Sequence, residues 1–312
     1  MADLFVDASH PDKLRPSIER FIEILFGHPF HTPTRMEYGM FHAQGAALRS
    51  ADLSRQVGAA IANEDGEILA LGMNEVPKGG GGLYWEGGDE TDNRDFTMGF
   101  DVSTEIKRGA LRQLLDRLHQ RGWLEKPADD LLDEAWNAVS GTSLMNVGEF
   151  GRQVHAEMAA IVDAARRGVS ILGQTLYTTT FPCHVCARHI VSAGIARVVY
   201  NEPYPKSLAG SLHLDSIAID DDEDRDTRGR THFVPFVGLA PHLYVKLFRM
   251  EGQGWRKDEN SEIVNWTKAQ ARPRLSNAPA TYIPKEVGAL KRFIKLSAPE
   301  EEDQIQAEPP GA

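Results

Sequence analysis

Between positions 155 and 200 the apolar residues change rhythm three times, and that alternation constrains the fold more than any other stretch of the chain. Residues 155–167 have helical spacing and stop near Gly168. Residues 171–180 (ILGQTLYTTT) read as a strand, 183–193 as a helix ending at Gly194, and 196–200 (ARVVY) as a second strand. Strands joined through a helix pair in parallel, so the expected fold is a layered α/β domain.

Upstream, residues 15–26 (RPSIERFIEILF) and 37–50 (EYGMFHAQGAALRS) repeat apolar residues at helical spacing. Residues 56–62 and 67–73 read as two strands around the Asn63-Glu64-Asp65-Gly66 turn, a hairpin. Residues 74–101 are rich in Gly, Asp and Asn and read as a long loop. Residues 104–121 and 131–139 then read as two inserted amphipathic helices. Residues 233–237 add a strand, 220–224 form a solvated acidic loop, and the tail after Ser297 has the composition of disorder. The expected organisation is an N-terminal helical extension (1–36), one main domain (37–250) interrupted by loop and helices at about 80–150, and a C-terminal extension (251–312).

Lys plus Arg number 34 against 45 Asp plus Glu, a net charge of −11, which is the wrong sign for holding a phosphate polymer and disfavours nucleic acid as a partner. No run approaches the roughly 20 apolar residues that span a bilayer. The acidic start, Met1-Ala2-Asp3-Leu4-Phe5-Val6-Asp7, is unlike a signal peptide, so a cytoplasmic location is expected. The chain has two cysteines, Cys183 and Cys186, both in Pro182-Cys183-His184-Val185-Cys186. A lone C-x-x-C pair means metal binding or thiol redox chemistry.

A second short segment, His155-Ala156-Glu157, narrows that choice. Catalytic zinc takes three protein ligands and keeps a fourth position for water, and one His with two Cys fits that count. Cys183 and Cys186 at i and i+3 share one helix face, and a helix N-terminus stabilises thiolates. Glu157, two residues after the histidine, is the general acid/base candidate. A structural site would need a fourth ligand, for which His184 and His189 are the neighbouring candidates. H-x-E followed by P-C-x-x-C is the signature of zinc deaminases, in which the Glu moves protons between water, the ring nitrogen and the departing amine.

The segments 49–60 (RSADLSRQVGAA), 72–79 (GMNEVPKG), 155–161 (HAEMAAI) and 178–200 (TTTFPCHVCARHIVSAGIARVVY) resemble the deoxycytidylate deaminase family of the cytidine-deaminase-like superfamily. EYGMFHAQGAALRSADLSRQVGAAI, PKGGGGLYW and FVPFVGLAP are closest to the deaminase domain of bacterial anti-phage deoxycytidine nucleotide deaminases, which act on dCTP and dCMP. Those relatives often carry an upstream P-loop domain. Here 36 residues precede Glu37 and no G-x-x-x-x-G-K-[ST] occurs, so a short form or a fragment is expected.

The resemblance implies a three-layer α/β/α fold with a mixed central sheet and an inserted helical segment. It implies one catalytic Zn²⁺ per chain, held by His155, Cys183 and Cys186, with Glu157 catalytic. By the same resemblance Asn74 binds the sugar and Val57 and Gly58 form the floor beneath the base. Arg49, Ser50, Tyr204 and Lys206 are candidates for the phosphate end. Ala159 departs from the Asn often found there in nucleotide deaminases. The glycine run 79–82 is expected to be a lid bearing Tyr84 or Trp85. Homo-oligomers, including hexamers, and regulation by dCTP or dTTP also follow from the resemblance. Two other functions stay open: deamination of cytosine or adenine in single-stranded nucleic acid, and a non-catalytic nucleotide sensor worked by the inserted helices.

Overall fold

A computed structural model describes residues 2–9, 11–88, 91–142, 145, 150–219, 229–250, 256–258, 260–275 and 282–297; the acidic run at 220–224 and the tail after Ser297 lie outside them. In chain order the elements are β1 (Leu4–Phe5), α1 (Pro11–Leu25), α2 (Arg35–Ala47), β2 (Gly58–Ala62), β3 (Ile68–Met73), α3 (Asp95–Met98), α4 (Val102–Gln120), α5 (Ala128–Val139), α6 (Ala156–Arg166), β4 (Thr175–Thr180), α7 (His184–Ser192), β5 (Arg197–Glu202), α8 (Ala209–Leu212), β6 (Ile217–Ile219), β7 (Thr231–Pro235), β8 (Gly238–Leu239), α9 (Tyr244–Phe248) and α10 (Tyr282–Ser297). They fall into two compact units, one of Met1–Ile22 with Phe30–Arg249 and one of Glu23–Pro29 with Met250–Ala312. In the second unit the main-chain amides of Arg272 and Arg274 donate to the Phe26 and Leu25 carbonyls, and His28 meets Trp266 edge-on at 4.8 Å. Among the described residues no helix is long and apolar enough to cross a membrane.

Six strands of the first unit form one sheet in the order β3-β2-β4-β5-β7-β6. β2 pairs antiparallel with β3 and β4, whereas β4, β5, β7 and β6 run parallel, so the sheet is mixed. Its faces separate by the strand period of two. Ala59, Ile61, Leu176, Val198 and Phe233 pack with Ala156, Ala160 and Ala164 of α6 and Ala187 and Ile190 of α7. Ala60, Ala62, Tyr177, Val199 and Val234 pack with Met40 and Ala43 of α2. The result is the α/β/α arrangement. Between β3 and α6 lies the inserted segment, where α4 and α5 bury Leu111, Leu115 and Ala128 in a small core of their own.

Two strand glycines bring the helices close. A Cβ at Gly58 would fall on the Ala43 carbonyl oxygen and the Ala47 amide of α2; a Cβ at Gly72 would fall on the Ala156 carbonyl oxygen and the Ala160 amide of α6. An alanine in a strand ordinarily stabilises relative to glycine by about 0.5–1 kcal/mol. At Gly72 the sign is expected to reverse: Gly72→Ala costs about 1–3 kcal/mol, because main chain must move, and a denaturant midpoint reads the change.

Helix α2 starts two residues earlier than the apolar spacing indicates because Thr34 and Glu37 form a capping box. Glu37 is buried (1% exposed), and Arg20 holds both its oxygens, at 2.8 and 2.9 Å. The Thr34 and Leu239 amides also donate to it, at 2.7 and 3.0 Å. Burial pushes this carboxyl up, but Arg20 and the amides outweigh it and hold it below the ordinary range. A carboxylate depressed by folding stabilises above its unfolded pKa, about 4.3 for Glu, and loses that contribution as pH falls through the folded value. Glu37→Gln is expected to cost about 3 kcal/mol at neutral pH and less in acid, as read by denaturation at both.

Candidate metal centre and pocket

The start of β2 and the ends of β3, β4 and β5 meet at one edge of the sheet. The crevice outside the carboxyl ends of parallel strands is where open α/β sheets bind ligands. His155 is the N-cap of α6 and Cys183 the N-cap of α7, where its Sγ accepts the Cys186 amide at 3.4 Å. His155 Nδ1 lies 3.3 Å from Cys183 Sγ and 3.4 Å from Cys186 Sγ, and the three donors stand within 4.8 Å of one another.

Tetrahedral zinc with Zn–S about 2.3 Å and Zn–N about 2.1 Å sets N and S about 3.6 Å apart, so this donor set fits zinc with only small adjustment. His184 and His189 do not join the three donors. The count is that of a site keeping one position for water.

The electrostatics fit as well. The two thiols share one negative charge: the hydrogen bond from Cys186, together with His155, brings Cys183 down to about 4 against burial. The same bond, burial and Glu157 push Cys186 well above its ordinary value. The hydrogen bond to Cys183 carries His155 up to about 8, against burial. Glu157, in the first turn of α6, is 4% exposed and hydrogen-bonds Cys186. Burial and then the Cys183 charge push its carboxyl up, against the opposing pull of His155 and the Cys186 hydrogen bond.

His155 is held from behind. The Glu75 and Val154 main chains form an antiparallel bridge, with N–O distances of 3.2 and 3.0 Å, tying the 74–77 turn to the entry of α6.

The substrate candidates divide. Asn74 accepts the Val57 amide and donates to the Arg55 carbonyl, both at 2.7 Å, so its carboxamide fixes the 55–58 segment. Val57 packs on the metal side of the sheet, but Gly58 opens toward α2 on the other face. Ser50 donates to the Asn74 carbonyl at 2.6 Å and is buried. Arg49 donates to the Leu83 and Tyr84 carbonyls and lies 3.2 Å over the Trp85 ring, and its buried Nε has no partner among the described residues. Tyr204 faces the Arg55 guanidinium at 5.4 Å and Lys206 is exposed. Gly80, Gly81 and Gly82, all at positive φ, turn a tight hairpin closed by the Pro77–Leu83 bridge. Trp85 beyond it is 60% exposed.

Sequence reasoning missed Asp52, whose charge helps raise His155, and the buried Glu75, Arg94 and Asp95. The last three sit in a stretch without periodicity, where nothing marks a charged residue as buried.

Residues 33–202, more than half of the chain, match the family described as the cytidine and deoxycytidylate deaminase zinc-binding region. The chain is 39% identical over 188 residues to a probable deoxycytidylate deaminase of Drosophila melanogaster, covering 59% of this chain and 69% of that protein. It is 48% identical over 58 residues to the deoxycytidylate deaminase of Enterobacteria phage T4, 19% of this chain and 30% of that protein. Here the aligned part spans well under two thirds of the relative's length. A dCMP deaminase from the cyanophage S-TIM5 superposes with a TM-score of 0.34 at 18% identity, over 65% of this chain and 99% of that one, a score that carries no argument. The matched region contains the hairpin, the metal donors and Glu157, and the chain belongs to the cytidine and deoxycytidylate deaminase zinc-binding family.

Proposed function

We propose that this protein deaminates a free deoxycytidine nucleotide by hydrolysis, giving the deoxyuridine nucleotide and ammonia. The observation that carries the reading is the convergence of His155, Cys183 and Cys186 beside buried Glu157 at the strand ends. His155, Cys183 and Cys186 would hold zinc, which when bound would supply a water of pKa about 7. Glu157 takes the proton of the attacking water and gives it to the ring nitrogen beside the amine-bearing carbon. It then takes the second proton from the new hydroxyl on that carbon and passes it to the amine, so the carbonyl forms as the carbon–nitrogen bond breaks and ammonia leaves. Val57 lines the base from the metal side, while Asn74 and the 50–57 loop shape the sugar end. Arg55, Tyr204 and Lys206 form the bank suited to phosphate, Lys206 as a point charge.

In this reading residues 37–250 form the deaminase domain, with 1–36 and 251–312 as extensions. Substrates are dCMP and dCTP, dCTP or dTTP acts as effector, and the protein is a cytoplasmic homo-oligomer serving nucleotide depletion during phage infection. Ammonia release from dCMP, dCTP, cytidine and a deoxycytidine oligonucleotide tests it. Turnover of the free nucleotides is expected. Turnover of the oligonucleotide alone, or of none, would sink it. Light scattering with and without dCTP tests the assembly.

A further inference from the structure

Glu75 takes no part in the chemistry above, yet its carboxylate is buried in the pocket wall, 2% exposed. Oε2 accepts the Ala51 amide and Oε1 the Val76 amide, each at 2.9 Å. Its main chain bridges Val154, the neighbour of His155. One residue thus joins three segments: the loop carrying Ser50, Asp52 and Arg55, the turn carrying Asn74, and the entry of α6.

A buried carboxylate needs compensating charge. Arg94, 7% exposed, supplies it with Nη1 3.8 Å from Oε2. Arg94 belongs to the inserted segment, and Asp92 fixes it through Nε and Nη2, at 3.0 and 2.6 Å. The next residue, Asp95, is also buried and accepts from Arg152 Nη1 and Gln153 Nε2, each at 2.8 Å. Arg152 and Gln153 lead directly into Val154 and His155. The inserted segment therefore grips both strands of the Glu75–Val154 bridge, one through Arg94 and the other through Asp95.

We propose that Glu75 is a positioning residue for the substrate pocket and that the inserted segment sets it through Arg94, acting on nucleotide binding without touching the nucleotide. The proposal rests on the 50–57 loop being part of the nucleotide pocket. Glu75→Gln keeps shape and an acceptor oxygen but loses the charge that Arg94 matches; Arg94→Met removes that partner from the other side. In zinc-loaded protein both are expected to raise KM for dCMP about tenfold with kcat changed less than about threefold, the split that marks lost binding. Displacements near 1 Å suffice for losses up to about 100-fold.

Zinc content is expected to match the unmodified protein. Hydrogen exchange at the Ala51 amide is expected to speed up in both variants, a readout that needs no substrate. A lower melting temperature with unchanged KM makes Glu75 merely structural and overturns the proposal. Unchanged Ala51 protection in Arg94→Met overturns the link to the insertion. Should Glu75→Gln fail to fold, Arg94→Met decides by the same two measurements. If the unmodified protein turns over no cytosine compound, the substrate reading fails instead, and Ala51 exchange still decides whether Arg94 sets Glu75.

Discussion

Glu157→Gln is expected to leave bound zinc unchanged while kcat falls about a hundred- to ten-thousand-fold, the range by which a positioned acid/base accelerates a reaction. The side chain is buried on the first turn of α6 and lies outside the His155, Cys183, Cys186 donor set, so its loss removes no ligand. Gln matches Glu in volume but takes up no proton, so the main-chain contact of α6 with Gly72 and the hydrogen bond toward Cys186 are disturbed little. Metal analysis and single-turnover kinetics on the same sample separate the outcomes. Activity within about tenfold of the unmodified protein would assign proton transfer elsewhere, and loss of zinc would make Glu157 part of the metal's support.

Zinc affinity is expected to rise about a hundredfold per pH unit between about pH 4 and pH 8. In that window, without metal, Cys183 is already ionised (about 4), His155 carries a proton (about 8), and Cys186 keeps its proton because its pKa is pushed well upward. Binding requires neutral imidazole and two thiolates, so two protons leave. Above about pH 8 His155 is neutral, one proton remains to be lost, and the slope falls to about tenfold per unit. Chelator competition across this range measures it. A single-proton slope at pH 6 would mean that His155 is already neutral or Cys186 already ionised in the metal-free protein.

The metal donors were legible because the chemistry is local. H-x-E and P-C-x-x-C place their donors within a few residues, at turns where helices must begin. The β2–β3 hairpin was legible from turn residues between two apolar runs. The polar candidates beside them were not, because their partners lie far along the chain. Ser50 donates to the Asn74 carbonyl 24 residues on, and Arg49 to the Tyr84 carbonyl 35 residues on. The family resemblance implied the phosphate end for both, and the fold gives them main-chain carbonyls.

Gly58 shows another limit. Glycine in a strand signals a close approach but does not say from which face, and the neighbour is α2 rather than a base. The strand expected from residue 171 begins at Thr175 because Gly173, at φ +76°, turns the chain first. β1, β6, β8, α8 and α9 are two to five residues long, too short to display a period.

The glycines at 58 and 72 give the pocket a ruler made of main chain. At both contacts a helix rests on strand backbone, with no side chain between them whose rotamer could change the gap. At Gly72 the depth of α6, and with it the height of His155 and Glu157 over the sheet, is limited by main chain meeting main chain rather than by a rotamer.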